Sequence, residues 1–237
     1  MPKSILQRLR ASLAREGVRG AAARLHRFLL EYWFDIRNGV DTRKPADLFR
    51  LQVRGENLAS GTRYAPTRVS VLRALFAALA DLIPPQSVLL DIGCGKGRAL
   101  LLAAEAGFRE ARGVEFAHEL CEVAIRNCAR YAKRTRTATR FFVEECDAAV
   151  YSIREDENVF FLFNPFSEDM VEKVLDHIEA SVREHPRMAL VLYVNPTCAG
   201  VFQKRPDFAL ARDLDYWDVR CAIYQHAPAG APAEPRC

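Results

Sequence analysis

The chain has no C-x-x-C pair, and its seven cysteines, at positions 94, 121, 128, 146, 198, 221 and 237, are an odd number. That spacing indicates neither a disulfide framework nor a zinc ribbon, and free thiols fit a reducing compartment. No apolar run reaches the ~18 residues that a membrane-crossing helix needs; the longest, such as 188–194, are strand-sized. The opening residues lack the apolar centre and small-residue cleavage site of a secretory signal, so the expected location is cytoplasmic. The five histidines, 26, 118, 177, 185 and 226, show no metal-ligand spacing, and no metal is expected. Internal repeats are absent too, and Gly and Pro number only 12 each in 237 residues, a balance that excludes fibrous and wholly disordered chains.

What is present is an ordinary globular balance, 50% hydrophobic and 27% charged, long enough for one sizeable α/β domain with an appendage. The formal charge of +4 is unevenly placed. Residues 1–44 hold ten Lys/Arg against four Asp/Glu, a net +6, which leaves −2 for the rest. A basic segment of this kind suits nucleic acid, an anionic membrane surface or an acidic partner, with a simply solvated helix face as the plainer alternative.

Apolar residues spaced three and four apart, Ile5, Leu6, Leu9 and Leu13, then Leu25, Phe28, Leu29, Tyr32, Trp33 and Ile36, predict one or two amphipathic helices broken near Gly17 or Gly20. Residues 38–66 lose this period and read as a linker punctuated by Gly and Pro. Residues 67–82 return to helical spacing, with Thr67 as the expected N-cap. Beyond Pro84 and Pro85, strands are predicted at 87–92, 113–115, 140–144, 159–163 and 188–194, and helices at 99–106, 117–133 and 168–183. This alternation predicts a doubly wound, mostly parallel sheet. Runs 208–214 and 217–225, separated only by Asp215 and Tyr216, predict a closing hairpin and hence an antiparallel strand. The expected organisation is a helical extension and linker over 1–66, a domain over 67–226, and a disordered Ala/Pro-rich tail over 227–237.

The strongest chemical signal is Asp91-Ile92-Gly93-Cys94-Gly95-Lys96-Gly97-Arg98, an apolar strand running through alternate glycines into a helix. Glycines there let backbone approach a ligand at a helix N-terminus. A dinucleotide-binding loop would read G-x-G-x-x-G; this one reads G-x-G-x-G behind an acid. Glu115 closes the next strand, where a carboxylate can accept from both hydroxyls of a ribose. Asp147 and Ala148 follow the third strand, placed to meet an adenine.

These motifs resemble the class I S-adenosylmethionine-dependent methyltransferases over roughly residues 67–225. The resemblance implies a seven-stranded sheet with an antiparallel last strand and S-adenosyl-L-methionine as cofactor. It also implies that Gly93, Gly95 and Gly97 line the methionine moiety, Glu115 the ribose, and Asp147 with Ala148 the adenine, while Asp91 holds the loop and the cofactor amine. The fourth strand ends Phe163-Asn164-Pro165-Phe166, similar to the Asn/Asp-Pro-Pro-aromatic motif of amino-methyltransferases but with Phe in place of the second proline. Asn164 and the Pro165 turn would aim carbonyls at an amine, with Phe166 beside it. A narrower resemblance, carried by Gly61 to Thr67, Gly113-Val114-Glu115 and the Phe-Asn-Pro-Phe run, is to the non-SET histone-lysine methyltransferases of the disruptor-of-telomeric-silencing type and bacterial proteins sharing their catalytic domain. It implies that Tyr64 and Thr67 close over the methionine end. The expected activity is methyl transfer to a nitrogen acceptor, a lysine-like amine of a protein or a small molecule. The alternatives are a binding module without turnover, an O-methyltransferase of small-molecule or glycan metabolism, and a nicotinamide-dependent oxidoreductase.

Overall fold

The computed structural model describes residues 5–44, 65–84, 86–163 and 167–226. In chain order the elements are α1 (Ile5–Asn38), α2 (Val69–Ala77), β1 (Val88–Ile92), α3 (Arg98–Glu105), β2 (Glu110–Glu115), α4 (His118–Thr135) and β3 (Arg140–Glu145). They continue with β4 (Val159–Phe163), α5 (Glu168–Glu184), β5 (Ala189–Val194), α6 (Gly200–Gln203), β6 (Phe208–Asp215) and β7 (Arg220–His226). The seven strands form one sheet in the order β3-β2-β1-β4-β5-β7-β6. The first five are mutually parallel, and β7 runs antiparallel to both β5 and β6.

The two faces of the sheet bury separate cores, as the two-residue period of a strand requires. Leu89, Phe161, Leu190 and Leu192 join α2, α3 and α4 on one face. Leu90, Phe160, Val191 and Tyr193, each one residue out of step, join α5 and α6 on the other. β3, at one sheet edge, alternates between exposed and half-buried positions, so it departs from the fully apolar strand expected at 140–144.

The remaining differences have local causes. Gly17 breaks α1 with a φ of 68°, which glycine adopts without steric cost. Helix α2 starts two residues later than expected, with Arg68 rather than Thr67 at its N-cap, because Glu31 of α1 supplies the cap by accepting from the Val69 N–H at 2.7 Å. The hairpin turn is Trp217-Asp218 rather than Asp215-Tyr216; both central residues have positive φ, 53° and 65°, as a tight two-residue turn demands. The short helix α6 has no counterpart in the sequence reading.

Sheet order reverses at β1, whose neighbours β2 and β4 leave by opposite faces. In such a sheet the crevice beyond the carboxyl ends of the strands is where a ligand has room, and the chemical motifs fall there.

Candidate active site

Three glycines shape the loop between β1 and α3. Gly93, Gly95 and Gly97 all have positive φ, 79°, 55° and 80°, a region that costs other residues roughly 1–2 kcal/mol each. The loop curls back onto the neighbouring strand, the Gly93 and Cys94 N–H groups both donating to the Val114 carbonyl at 2.9 Å. Gly113 of β2 is needed for the same closeness, because a Cβ there would stand 2.6 Å from Cys94 Sγ. Cys94 is thus a filler of the loop's underside; burial, and then the charge of Asp91, push its thiol well up, which makes it inert as a nucleophile.

Glu115, at the tip of β2, bridges the crevice. Its Oε2 accepts from the Gly95 N–H at 2.8 Å and its Oε1 from the Ala117 N–H at 3.0 Å. Burial raises its carboxyl above the usual range, and these backbone bonds only partly offset that. Each oxygen has a second lone pair, so the carboxylate can fix the loop and still accept from a ligand hydroxyl. Loop-holding was expected of Asp91, and the structure gives it to Glu115 instead. Among the described residues no group hydrogen-bonds the Asp91 carboxylate. It is buried, 4% exposed, and its carboxyl is held well above the ordinary range by burial and then by the charge of Glu115. A buried acid with acceptors to spare is suited to a cationic ligand group.

The tip of β3 completes the row. The Cys146 N–H donates to the Glu115 carbonyl at 3.0 Å, and Asp147 Oδ1 accepts from the Ala149 N–H at 2.9 Å, turning the chain. Ala148 faces a small cavity shared with Ile92, Val114, Tyr151, Val174 and His177. His118 stays outside, exposed on α4, with its Nδ1 2.6 Å from Glu145 Oε2. Tyr64, Asn164, Pro165 and Phe166 lie outside the described residues. Thr67 is within them and buried, and its carbonyl accepts from Arg98 at 3.0 Å.

That contact belongs to a set of residues the sequence reading did not single out. Arg98, 3% exposed, donates through Nε to Thr42 Oγ1 at 2.8 Å and through Nη1 to Glu31 Oε2 at 2.5 Å. Burial outweighs the attraction of Arg98 and raises the Glu31 carboxyl above its ordinary range. Asn127 of α4 donates to the carbonyls of Lys96 and Asp41 at 2.9 and 3.1 Å and accepts from the Asp41 N–H. Lys96 Nζ reaches Asp41 Oδ2 at 3.3 Å. The end of α1 and residues 39–43 therefore form a strap clamped to the glycine loop. Two sequence signals pointed to it: a cation opening α3, where the helix dipole disfavours one, and an Asn on the apolar stripe of α4.

No family model and no curated protein matches the chain. Among solved structures, an RNA methyltransferase from Salinibacter ruber in complex with S-adenosyl-L-homocysteine is similar, at 21% identity and a TM-score of 0.52, over 72% of this chain and 98% of that one. The putative methyltransferase yhhF from Escherichia coli is similar to the same degree, over 75% and 92%. Magnesium protoporphyrin IX methyltransferase from Synechocystis, with bound SAM, matches at 15% identity and a TM-score of 0.51, over 66% and 77%. These likenesses, together with the strand order and the antiparallel closing hairpin, establish that the chain has the Rossmann-like methyltransferase fold.

Proposed function

We propose that the chain is an S-adenosylmethionine-dependent methyltransferase acting on a nitrogen acceptor, a lysine-like amine of a protein or a small molecule. The observation that carries the cofactor reading is the pair of buried acids flanking the glycine loop. Glu115 retains a lone pair on each oxygen for the ribose hydroxyls, and Asp91, without a hydrogen-bonding partner among the described residues, suits the amino group of the methionine moiety. Asp147 and Ala148, at the tip of β3, would meet the adenine ring in this reading. The bound cofactor would supply an electrophilic methyl group already activated by its sulfonium; the chain's own residues supply alignment.

The acceptor reading rests on the sequence at the tip of β4. In this reading the Asn164 side-chain carbonyl would orient an amine lone pair, and Phe163 and Phe166 would supply an apolar wall that favours the neutral, nucleophilic amine over its ammonium form. No general base is required once the amine is neutral, which separates this route from oxygen methylation. Tyr64 and Thr67 close the methionine end in this reading.

Isothermal titration with S-adenosylhomocysteine, with NAD as control, tests the proposal. Saturable binding of the former alone is expected, weakened more than about tenfold in Glu115→Ala because a charge-assisted contact is lost. Asn164→Ala is expected to keep that affinity and lose turnover. Absence of S-adenosylhomocysteine binding overturns the reading.

A further inference from the structure

The second half of α1 presents an apolar stripe to solvent. Leu25, Phe28, Leu29, Tyr32, Trp33 and Ile36 recur at helical spacing and are all exposed, Trp33 at 60% and Leu29 and Ile36 at 52%. The opposite side of the same helix is the one that docks: Phe34 and Asn38 are buried there. Docking also determines where charge goes. Glu31 is spent on Val69 and Arg98, Asp35 on the Thr42 and Arg43 N–H groups at 3.0 and 2.9 Å, and Asp41 on Lys96. The acids of residues 17–44 are thus engaged with the protein, while Arg37 and Lys44 remain exposed. The Arg43 guanidinium lies over the rings of Phe28 and Tyr32, 5.8 and 4.8 Å from their centroids, at the rim of the stripe. Toward the N-terminus seven more Lys/Arg fall between positions 3 and 27, against Glu16 alone.

We infer that this face of α1 seats the protein on an anionic lipid surface. An amphipathic helix with Trp, Phe and Leu on one side and an excess of Lys/Arg lies in the plane of a bilayer interface, the apolar side chains among the upper acyl chains and the cations among the headgroups. Tyr32 and Trp33 have the amphipathic rings that favour that depth. A second copy of the chain is disfavoured as the occupant because it would bring two net-positive segments together. Nucleic acid matches the charge but offers nothing to the aliphatic residues. Because the strap joins this helix to the glycine loop through Glu31–Arg98, lipid binding would hold the crevice close to the membrane surface.

The test is co-sedimentation of the full chain with vesicles of phosphatidylcholine and phosphatidylglycerol in equal parts, and with phosphatidylcholine alone. Binding is expected to the mixed vesicles and to be at least tenfold weaker on the neutral ones. It should fall at least tenfold between about 0.1 and 1 M NaCl, as the Debye length shrinks from ~10 to ~3 Å. The double variant Leu29→Glu, Trp33→Glu, altering two exposed side chains, is expected to lose binding at least tenfold while keeping its unfolding midpoint and its S-adenosylhomocysteine affinity. In a Trp217→Phe background, Trp33 emission should shift to the blue on addition of mixed vesicles. The inference is overturned by no binding to mixed vesicles, by equal binding to neutral ones, or by undiminished binding of the double variant. A concentration-dependent dimer abolished by that variant, in a protein that ignores vesicles, would assign the face to a second copy instead.

Discussion

Asp91 and Glu115 stand on adjacent strands, two residues apart in register, yet their environments divide their work. Glu115 is bonded to backbone on both oxygens, whereas Asp91 has no hydrogen-bonding partner among the described residues and its carboxyl is raised by burial. Since the folded chain holds a proton on Asp91 that the unfolded chain has already released, the folded state binds more protons between the ordinary carboxylate value and the raised one. The stability tied to Asp91 is therefore fullest at low pH and declines as pH rises through that window. Asp91→Asn removes the titration and keeps the shape. It is expected to raise the thermal unfolding midpoint at pH 8, by about 2–4 °C per kcal/mol in a chain of this size, with the gain vanishing below about pH 4. The same variant should bind S-adenosylhomocysteine at least tenfold more weakly. A midpoint that does not rise would show that Asp91 is not a strained acid. Both carboxylates were legible in the sequence as strand-tip acids. Which of them holds the loop was not, because both leave the same face of the sheet and only the path of the folded loop brings the Gly95 N–H to Glu115.

At the scale of elements, the glycine loop and the strap are each held by a small number of contacts. Gly97 has a φ of 80°, and a Cβ there would lie 3.3 Å from that of Ala124. Gly97→Ala is expected to cost about 1–2 kcal/mol from the left-handed backbone alone, read as a lower denaturation midpoint at unchanged m-value. For the strap, Arg98→Ala would leave the largely buried Glu31 carboxylate without its cation, holding only the Val69 N–H, at a cost of up to about 3–5 kcal/mol. In a double-mutant cycle, Glu31→Gln with Arg98→Ala should cost clearly less than the two changes summed; strict additivity would mean the pair does not hold the strap. The elements themselves were legible wherever the hydrophobic period was unbroken, as in α4, α5, β4 and β5. They were misplaced where a tertiary partner or an unusual turn intervened. The start of α2 depends on Glu31, distant in sequence, and the Trp217-Asp218 turn lacks the Asn-Gly signature that marks such hairpins. The strap was hidden for the same reason: Asp41, Thr42 and Asn127 acquire a role only when α1 folds against α4.

The whole molecule separates stability from ligand chemistry along the strand axis. At the carboxyl ends of the strands lie the glycine loop and its acids; at the amino ends Arg112 pairs with Glu110, Asp156 and Glu157 at 2.6, 2.6 and 3.1 Å. Arg109 adds a second contact to Asp156 at 2.8 Å. The bonds from Arg112 hold the Asp156 carboxyl below its ordinary range, and Arg112 with Arg140 lowers that of Glu110 against the burial that would raise it. The sign is opposite to that of Asp91. A lowered carboxyl contributes stability above its unfolded value and loses it as pH falls through the folded one. Asp156→Asn is therefore expected to be less stable than the parent at pH 7, the gap closing as pH drops below about 4. Its S-adenosylhomocysteine affinity should not change, because the substitution sits at the far end of β4 from the crevice. Chemical denaturation across pH, beside titration calorimetry at pH 7, checks both halves. A loss of affinity that matches the loss of stability would mean that the two ends of the sheet are coupled, and that the amino-end charge cluster positions the site as well as holding the fold.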